Sequence, residues 1–365
     1  MLKIKGLTRK MLNNFRYLGM VFSDPERKDL QQMCSEFLLC TISKRCIALH
    51  YLTSFMYRRD VHNFLDYVSK REAIEVQDRI NNPKLGYFIT NKLSFMEHFE
   101  RNGFPVPRLL GYNLLDKMHI KEAETWSIND LSSPQSMKES LNHIMANGRI
   151  EDIFLKPMLG TQGVGAFRVN REQLNTTLDI ERLYSSVSKN SYVYQQVVFQ
   201  HPELSRLNPT SLNTMRIDTF RAPHNKAEII SALLRVGGGG NYIDAVSAGG
   251  VFVGIHLDNG YLKEKAQNFF HGSRVFGTFI ANPLNGILFK GFQIPFFNEV
   301  KQTVTRAAES LPPALIGWDV AVGPAGPVLI EANCLYYGLT MSDIAYGGYR
   351  KNPVYQKALK YANMR

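Results

Sequence analysis

The sequence from residue 316 to residue 333 reads Ile316-Gly317-Trp318-Asp319-Val320-Ala321-Val322, then Gly-Pro-Ala-Gly, then Pro327-Val328-Leu329-Ile330-Glu331-Ala332-Asn333. Two apolar runs on either side of a Gly/Pro turn predict an antiparallel β-hairpin. A register centred on Ala325 places Asp319 directly opposite Glu331. Asn333 points to the same face, because side chains alternate along a strand. The hairpin therefore gathers three oxygen-bearing side chains at one end.

The two facing carboxylates of this hairpin should repel each other unless a cation lies between them. Three oxygen ligands without Cys or His suit Mg²⁺ better than zinc, and such Mg²⁺ sites commonly hold nucleotide phosphates. The alternative is a hairpin whose carboxylates are solvated at its rim. We favour a metal site formed by Asp319, Glu331 and Asn333, because phosphate-binding motifs occur elsewhere in the chain.

Composition and charge restrict the class of protein. The 365 residues are 44% hydrophobic and 21% charged, which is ordinary for a globular protein. No apolar run could span a bilayer, and the N-terminus lacks the apolar core of a signal peptide, so we expect a cytoplasmic protein. A net charge of +11 favours an anionic partner, such as nucleotide phosphates, an acidic saccharide or an acidic lipid surface. The scattered basic residues argue against specific nucleic-acid binding.

The first sixteen residues are basic and have apolar residues at roughly helical spacing. Five basic residues occur there without an acid: Lys3, Lys5, Arg9, Lys10 and Arg16. This segment could pack on its own domain as a helix, which we favour, or lie on a membrane surface.

The pattern divides the chain into a helical part and a strand-rich part. Helical spacing continues to about residue 85, where Asn81-Asn82-Pro83 ends it. Residues 113–150 combine a loop at Ser132-Ser133-Pro134 with a helix from about Met137. From Ile153 onward strands dominate, with helices near 171–188 and 297–310. The prediction is an α+β protein with mostly antiparallel sheets.

A glycine-rich loop, Gly160-Thr161-Gln162-Gly163-Val164-Gly165, lies between two predicted strands. Because no helix follows the glycines, it is neither a Walker loop nor a dinucleotide fingerprint. It could be a hairpin that merely needs positive φ, or a loop whose backbone N–H groups hold nucleotide phosphates. Lys156, at the end of the entering strand, could reach a phosphate. Lys92, in the first turn of a predicted helix, is the second candidate cation.

Four elements in this order resemble the ATP-grasp superfamily. They are Asn91-Lys92 with Gly103-Phe104-Pro105-Val106-Pro107, Lys156-Pro157 with the glycine loop, the strand ending Val193-Tyr194-Gln195-Gln196-Val197-Val198, and Asp319 with Glu331-x-Asn333. Four stretches are similar to the sugar-transfer-associated ATP-grasp family: His201 to Ile217, Leu234-Arg235-Val236-Gly237, Asp244 to Gly250 and Gly317-Trp318-Asp319. The resemblance spans about residues 60–350 and implies two α+β lobes that clamp ATP.

The implied organisation has four parts. Residues 1–85 form a helical N-terminal region, and residues 86–190 form a lobe with the phosphate loop. Residues 191–350 form a lobe with the Mg²⁺ and substrate sites. Residues 351–365 form a C-terminal helix or tail.

The resemblance also implies roles for individual residues. Arg216 and Arg235 would be catalytic, facing the transferred phosphoryl group and the substrate carboxylate. Asp319, Glu331 and Asn333 would bind Mg²⁺. The ATP site would consist of Lys92, Lys156, Gly160, Gln162, Gly163, Gly165, Gln195, Gln196, Val198 and Glu203.

Two positions depart from the family pattern. Gln195-Gln196 stands where a Glu is usual, which bears on nucleotide choice, and Asp244-Ala245 replaces an expected Asp-Asn. Other interpretations of the arginines stay open. Arg216 and Asp218 could form a structural ion pair on one face of a strand, and the glycines after Arg235 could form a simple turn.

The implied activity is that of an ATP-dependent carboxylate–amine ligase that forms an amide through an acyl phosphate. The setting would be the modification of a sugar or uronic acid for bacterial surface polysaccharide. Its partners would be carboxylate and amine small molecules, including an acidic saccharide, and membrane glycosyltransferases at the inner face of the membrane. Two alternatives are a phosphotransferase acting on a hydroxyl and a non-catalytic ATP- or saccharide-binding partner of glycosyltransferases.

Overall fold

The computed structural model describes residues 18–123, 125–160, 163–238, 249–268 and 277–364. Two sheets organise this part of the chain, and every strand pairing in them is antiparallel. The predicted α+β class with mostly antiparallel sheets is therefore confirmed. The amphipathic segment 1–16, Gln162 and Asp244-Ala245 lie outside the described residues.

The first sheet has six strands in the order β3-β2-β1-β6-β4-β5. The strands are β1 (Leu109–Leu114), β2 (Lys117–Glu122), β3 (Thr125–Asp130), β4 (Asp152–Pro157), β5 (Phe167–Asn170) and β6 (Tyr192–Gln196). Because β6 lies in the middle of this sheet, a lobe boundary just after Gln196 would keep its strands together. The bounds 1–85, 86–190, 191–350 and 351–365 stay a prediction.

The helices of the described chain are numbered in the same way. They are α1 (Leu30–Lys44), α2 (Leu49–Thr53), α3 (Lys70–Ile80), α4 (Pro83–Thr90), α5 (Lys92–Arg101), α6 (Pro134–Gly148), α7 (Arg171–Leu174), α8 (Thr177–Val187), α9 (Pro202–Leu207), α10 (Phe297–Glu309), α11 (Thr340–Ala345) and α12 (Pro353–Asn363). Residues 18–23 are also helical, and short 3₁₀ turns occur at Phe64–Asp66 and Tyr349–Lys351. The N-terminal part is thus helical, as expected.

Residues 113–150 differ most from the prediction. Strands β2 and β3 were not predicted, because each contributes few buried hydrophobic residues. In β2, Met118 and Ile120 are buried whereas Lys117 is exposed. Ser132 and Ser133 lie outside the helix as expected, but α6 begins at Pro134 and not near Met137, because Ser133 caps it and Pro134 suits its first turn.

The second sheet has seven strands in the order β11-β10-β9-β8-β7-β12-β13. The strands are β7 (Thr214–Phe220), β8 (Glu228–Val236), β9 (Val251–Ile255), β10 (Leu262–Asn268), β11 (Gly277–Phe279), β12 (Leu315–Gly323) and β13 (Gly326–Asn333). Strands β10 and β11 were not predicted, since Leu262–Asn268 is largely polar.

One face of the second sheet packs on α5 and α10 to form the largest core cluster. Trp318 is fully buried in it, with its ring edge-on to Phe99 at 5.6 Å between centroids. Its indole N–H donates to Thr219 at 2.9 Å. The expected core position of Trp318 is confirmed, and this packing fixes the strand that carries Asp319.

The opposite face of the second sheet is polar near β13 and apolar farther away. Its apolar part packs on the N-terminal helices, through residues such as Leu233 and Phe252. It also packs on α3 and α12, through Phe220 and Ile230. The segment expected to be a C-terminal helix or tail contains helix α12. The described part of the chain contains no helix that is both long and apolar enough to cross a membrane.

Candidate functional site

The hairpin of β12 and β13 places Asp319 opposite Glu331, as predicted from its sequence. Nearer the turn the pairing differs by one residue, because Val320 pairs with Leu329 and leaves Ile330 as a bulge. The predicted register therefore holds at the carboxylates and is wrong between the bulge and the turn. The bulge brings Asp319 and Glu331 into direct register.

Asp319 is almost fully buried and is held by both predicted arginines. Arg216 on β7 donates from Nε and Nη2 at 2.6 and 3.3 Å, and Arg235 on β8 approaches from Nη2 at 3.1 Å. Burial alone would raise the pKa of Asp319, but the two guanidinium charges hold that pKa well below its ordinary value. Asp319 is thus a permanent carboxylate.

Arg216 has its ion-pair partner on β12 and not on its own strand. Asp218, the other partner considered from the sequence, accepts hydrogen bonds from Ser231, Ser342 and Tyr349. The Arg216 guanidinium also lies 5.8 Å from the centroid of the Tyr337 ring. Its side chain is therefore fixed on both sides before any ligand binds.

Glu331 and Asn333 complete the end of the hairpin. The amide Nδ2 of Asn333 lies 3.4 Å from Oε1 of Glu331, so the two side chains share one face. Burial and the neighbouring charge of Asp319 raise the pKa of Glu331, whereas Lys92 and Lys156 oppose that shift. Two carboxylates forced together in this way would be relieved by a divalent cation.

The two predicted phosphate-binding lysines lie beside these carboxylates. Lys92 begins α5 after its N-cap Asn91, and its Nζ donates to the carbonyl of Gly160 at 2.7 Å. Lys156 ends β4, and its Nζ lies 3.4 Å from the carbonyl oxygen of Ile330. Burial lowers the pKa of Lys92, and it lowers the pKa of Lys156 to about 8. The Lys92 charge adds to the shift at Lys156.

Neither lysine has a carboxylate within salt-bridge distance among the residues that the structure describes. Both lysine residues are buried, at 8% and 6% exposure, and their ammonium groups donate to backbone carbonyls. Glu331 and Asp319 attract both charges without touching them, and a buried cation without a directly paired counter-ion is costly. The pair therefore favours an anionic ligand between α5, the glycine loop and β13.

The glycine loop has the backbone that its sequence requires. Gly160, Gly163 and Gly165 have φ values of 128°, 66° and 77°, which residues other than glycine rarely adopt. A Cβ at Gly165 would lie 3.2 Å from both Pro157 and the Tyr192 hydroxyl. The loop is tied to α5 at two points, since Lys92 N–H also donates to the Met158 carbonyl at 3.0 Å.

The residues expected to contact adenine lie at the end of β6, in the middle of the first sheet, and just beyond it. Gln195 is buried, and its Oε1 has no hydrogen-bond partner among the residues that the structure describes. Gln196 donates its N–H to the Arg108 carbonyl at 3.0 Å, and Val198 is partly buried just beyond. An unpaired buried amide oxygen suits a donor such as the exocyclic amine of adenine.

Glu203 is the predicted site residue that the structure ties least to the others. It lies in the first turn of α9, is about half exposed, and pairs with Arg206 at 2.7 Å. Its expected contact with ribose stays a prediction.

A clamp that the sequence analysis missed holds the segment after Asn333. The side chain of Gln77 donates to the Tyr337 carbonyl at 2.9 Å and accepts from the Tyr337 N–H at 3.1 Å. Asn81 accepts from the Leu315 N–H at 2.8 Å, and its Nδ2 donates to the carbonyls of Leu315 and Cys334. These contacts join residues more than 230 positions apart, so no local signal could reveal them. We refer to Gln77 and Asn81 as the α3 clamp.

The arrangement fits a nucleotide and a divalent cation. Glu331 and Asn333 could ligate Mg²⁺ directly, while Asp319 would share its oxygens between the cation and the arginines. No group of three or more His, Cys, Asp or Glu suited to a metal exists in the described ranges, so this site depends on the Asn333 amide. Lys92, Lys156 and the loop glycines could hold phosphates.

The solved structures with similar folds are distant. The ATP-grasp ligase PsnB, complexed with a phosphomimetic variant of a minimal precursor, Mg and ADP, is 16% identical. The alignment covers 78% of this chain and 61% of that chain, with a TM-score of 0.42. D-alanyl-alanine synthetase A from Vibrio cholerae O1 biovar eltor str. N16961 is 13% identical, over 76% of this chain and 64% of that chain, with a TM-score of 0.41.

This chain spans about three fifths of the length of the first solved structures that it matches. No curated protein matches the sequence. The family model described as sugar-transfer associated ATP-grasp matches residues 71–353, which is most of the chain. The expected ATP-grasp fold, two α+β lobes behind a helical N-terminal region, is thereby confirmed. The protein belongs to the sugar-transfer-associated ATP-grasp family.

Proposed function

We propose that this protein is an ATP-dependent carboxylate–amine ligase. The observation that carries the proposal is the pair of buried ammonium groups, Lys92 and Lys156, which lie beside facing carboxylates. Within the described part of the chain, their hydrogen-bond partners are carbonyl oxygens. An ATP triphosphate would supply the missing negative charge. Mg²⁺ at Glu331, Asn333 and Asp319 would neutralise phosphate charge when bound.

The proposed reaction has two steps. A substrate carboxylate oxygen attacks the γ-phosphorus of ATP, the bond to the β-γ bridging oxygen breaks, and ADP leaves. The nitrogen of an amine then attacks the acyl carbon and loses a proton, while inorganic phosphate leaves with both electrons of the C–O bond. Such transfer needs positioning and charge neutralisation more than a protein nucleophile.

Different residues of this chain would bind the different parts of ATP. Lys92, Lys156 and the glycines at 160, 163 and 165 would hold the phosphates, with Gln162 beside them. Gln195, Gln196 and Val198 would contact adenine, and Glu203 the ribose.

Arg216 and Arg235 would stabilise the negatively charged oxygen that forms when the amine attacks the acyl carbon. A well-placed donor of this kind contributes roughly 3–4 kcal/mol. Both guanidiniums are already positioned by Asp319, which favours this role.

The family description supports a substrate from sugar transfer, and we propose a uronic acid or related acidic saccharide as the carboxylate. The amine would be an amino acid or a related small molecule. The product would enter surface polysaccharide synthesis, where the enzyme would work beside glycosyltransferases at the inner face of the membrane.

The decisive experiment measures phosphate release with a panel of uronic acids crossed with amino acids. A ligase releases phosphate only when both substrates are present, whereas a phosphotransferase yields a stable phosphorylated acceptor. A purely binding protein would hold ATP without consuming it. Mass spectrometry of the products separates the first two outcomes.

Glu331→Gln is the matched test of the metal site. We expect its ATP consumption to fall at least about a hundredfold, because one cation ligand loses its charge. The control is Glu139→Gln, an exposed carboxylate on α6 that accepts from Gln135. Wild-type turnover by the Glu331→Gln protein would count against the proposal.

A further inference from the structure

Gln195 carries a buried amide group whose orientation is not fixed by its neighbours. The residue is only 4% exposed, and its Oε1 has no hydrogen-bond partner in the part of the chain that the structure describes. Buried polar groups in folded proteins are normally paired, so an exception needs a ligand or a water molecule as its partner. The Gln195 amide is therefore a candidate contact for a bound molecule.

The strand register places Gln195 on the face of the first sheet that also carries Lys156. Gln195 pairs with Phe154 on β4, and Val193 pairs with Lys156. Residues that are directly opposite in an antiparallel pair share a face, and so do residues two apart on one strand. Tyr194, between Val193 and Gln195, belongs to the core cluster on the opposite face. The Gln195 amide and the Lys156 ammonium group therefore lie on the same side of the sheet.

The spacing and the neighbours of Gln195 suit the base of a nucleotide. Lys156 and Gln195 are offset by two residues on adjacent strands, which is about 7 Å along the sheet. Leu109 on β1 is directly opposite Gln195 on its other side, so the amide lies between the apolar residues Leu109 and Phe154. A planar base packs well on apolar groups, while one polar group contacts its edge. Gln195 would thus contact the base of a nucleotide whose phosphates reach Lys156.

An amide at this position can recognise more than a carboxylate can. An ionised Glu only accepts hydrogen bonds, so it suits the N6 amine of adenine and leaves the O6 carbonyl of guanine without a donor. A Gln amide has an acceptor, Oε1, and a donor, Nε2, and a half-turn of the amide exchanges their positions. Because Oε1 of Gln195 is not held by a described residue, either atom can face the base.

We propose that Gln195 makes the nucleotide site accept guanine as well as adenine, so that the protein binds GTP and ATP with similar affinity. Oε1 would accept a hydrogen bond from the N6 amine of adenine, whereas Nε2 would donate to O6 of guanine. The inference rests on the nucleotide site of the proposed function, and it is independent of which carboxylate and which amine the enzyme joins.

The test is isothermal titration calorimetry of the full chain with Mg²⁺ and a non-hydrolysable analogue of either ATP or GTP. We expect the two dissociation constants of the wild type to agree within about tenfold. Gln195→Glu should shift their ratio toward the ATP analogue by about tenfold or more, because guanine O6 then faces an acceptor. Gln195→Leu removes both polar atoms and should weaken the two analogues alike. The control is Gln135→Glu, which adds the same charge on the exposed side of α6 and should keep the wild-type ratio.

The ratio of the two affinities separates base selection from a structural role of Gln195. A variant that is only less stable binds both analogues more weakly and keeps their ratio. The inference is overturned if the wild type prefers the ATP analogue by more than about tenfold, and the proposed function then stands. It is also overturned if Gln195→Glu keeps the wild-type ratio. Failure of the wild type to bind either analogue would overturn the nucleotide site itself, and the proposed function with it.

Discussion

The ammonium group of Lys156 has a backbone carbonyl oxygen of β13 as its hydrogen-bond partner, whereas the carboxylates of Glu331 and Asp319 lie nearby without direct contact. Burial lowers its pKa from 10.5 to about 8, so the uncharged form becomes accessible in the free protein. A bound triphosphate would favour the charged form. ATP affinity should therefore fall as the pH rises through about 8, which isothermal titration calorimetry with a non-hydrolysable analogue can measure.

Lys156→Met is the companion variant for this pH dependence. It should bind the analogue about tenfold to a hundredfold more weakly, since a charge-assisted hydrogen bond contributes roughly 1.5–3 kcal/mol. Its remaining affinity should change less between about pH 7 and about pH 9, which lie on either side of the Lys156 pKa of about 8. An unchanged pH profile in the variant would show that another group is responsible.

Asp319 supports stability as well as the proposed metal site. Asp319→Asn would leave Arg216 and Arg235 with an uncharged partner, and removing one member of a buried ion pair costs about 3–5 kcal/mol. Urea unfolding would measure the loss. Asp60→Asn is the control, because its pair with Lys265 is about half exposed on both sides and should contribute about 1 kcal/mol or less. Equal effects of the two substitutions would contradict a buried role for Asp319.

At the scale of elements, the glycine loop depends on backbone conformations that Ala tolerates poorly. Gly165→Ala would introduce strain of about 1–3 kcal/mol at φ 77° and a close contact with Pro157. We expect analogue affinity to fall about tenfold, measured by calorimetry. Gly286→Ala is the matched control, with φ 75° and open space around the site of its Cβ. Its affinity should equal that of the wild type.

The α3 clamp is an element-scale link between the N-terminal helices and the candidate metal site. Gln77→Ala would leave the Tyr337 N–H and carbonyl without their side-chain partner. We expect a loss of about 1–3 kcal/mol in the free energy of unfolding and weaker Mg²⁺-dependent analogue binding. Gln135→Ala, on the exposed side of α6, is the control. Unimpaired Mg²⁺ dependence would limit the clamp to stability.

Elements fixed by residues close together in the sequence could be predicted, whereas features that depend on contacts between distant segments could not. The prediction that Asp319 faces Glu331 followed from a turn and two apolar strands, which are local signals. The bulge at Ile330 had no such signal. Lys92, Lys156 and the glycine loop were identified from order and spacing, whereas the pairing of both arginines with Asp319 depends on strands far apart in sequence. Strands β2 and β3 were missed because β2 buries only Met118 and Ile120, and the edge strand β3 buries none of its residues.

At the scale of the whole molecule, Asp343 joins the N-terminal and C-terminal helices. Its carboxylate accepts from the Val68 N–H at 3.1 Å and from the Tyr349 N–H at 2.8 Å. Burial raises its pKa to about 8, although these two bonds oppose the shift. The folded protein thus keeps a proton that the unfolded chain releases near its ordinary pKa of 3.8.

The contribution of this proton to stability is present at low pH and is lost as the pH rises toward about 8. Urea unfolding between about pH 5 and pH 8 should therefore show a smaller decline for Asp343→Asn than for the wild type. Parallel curves for the two proteins would exclude Asp343 as the source.

The hydrogen bond from Lys92 to the Gly160 carbonyl has a consequence for how the cleft fills. The Gly160 carbonyl oxygen accepts a hydrogen bond from the Lys92 ammonium group at the position where a phosphate oxygen would bind. An arriving nucleotide would displace it, so this side-chain bond between the loop and α5 would break in the same event that neutralises Lys92, while the bond from the Lys92 N–H to the Met158 carbonyl would remain. Ligand binding and loosening of the loop are thus coupled at Lys92 Nζ, which exchanges a carbonyl oxygen for a phosphate oxygen.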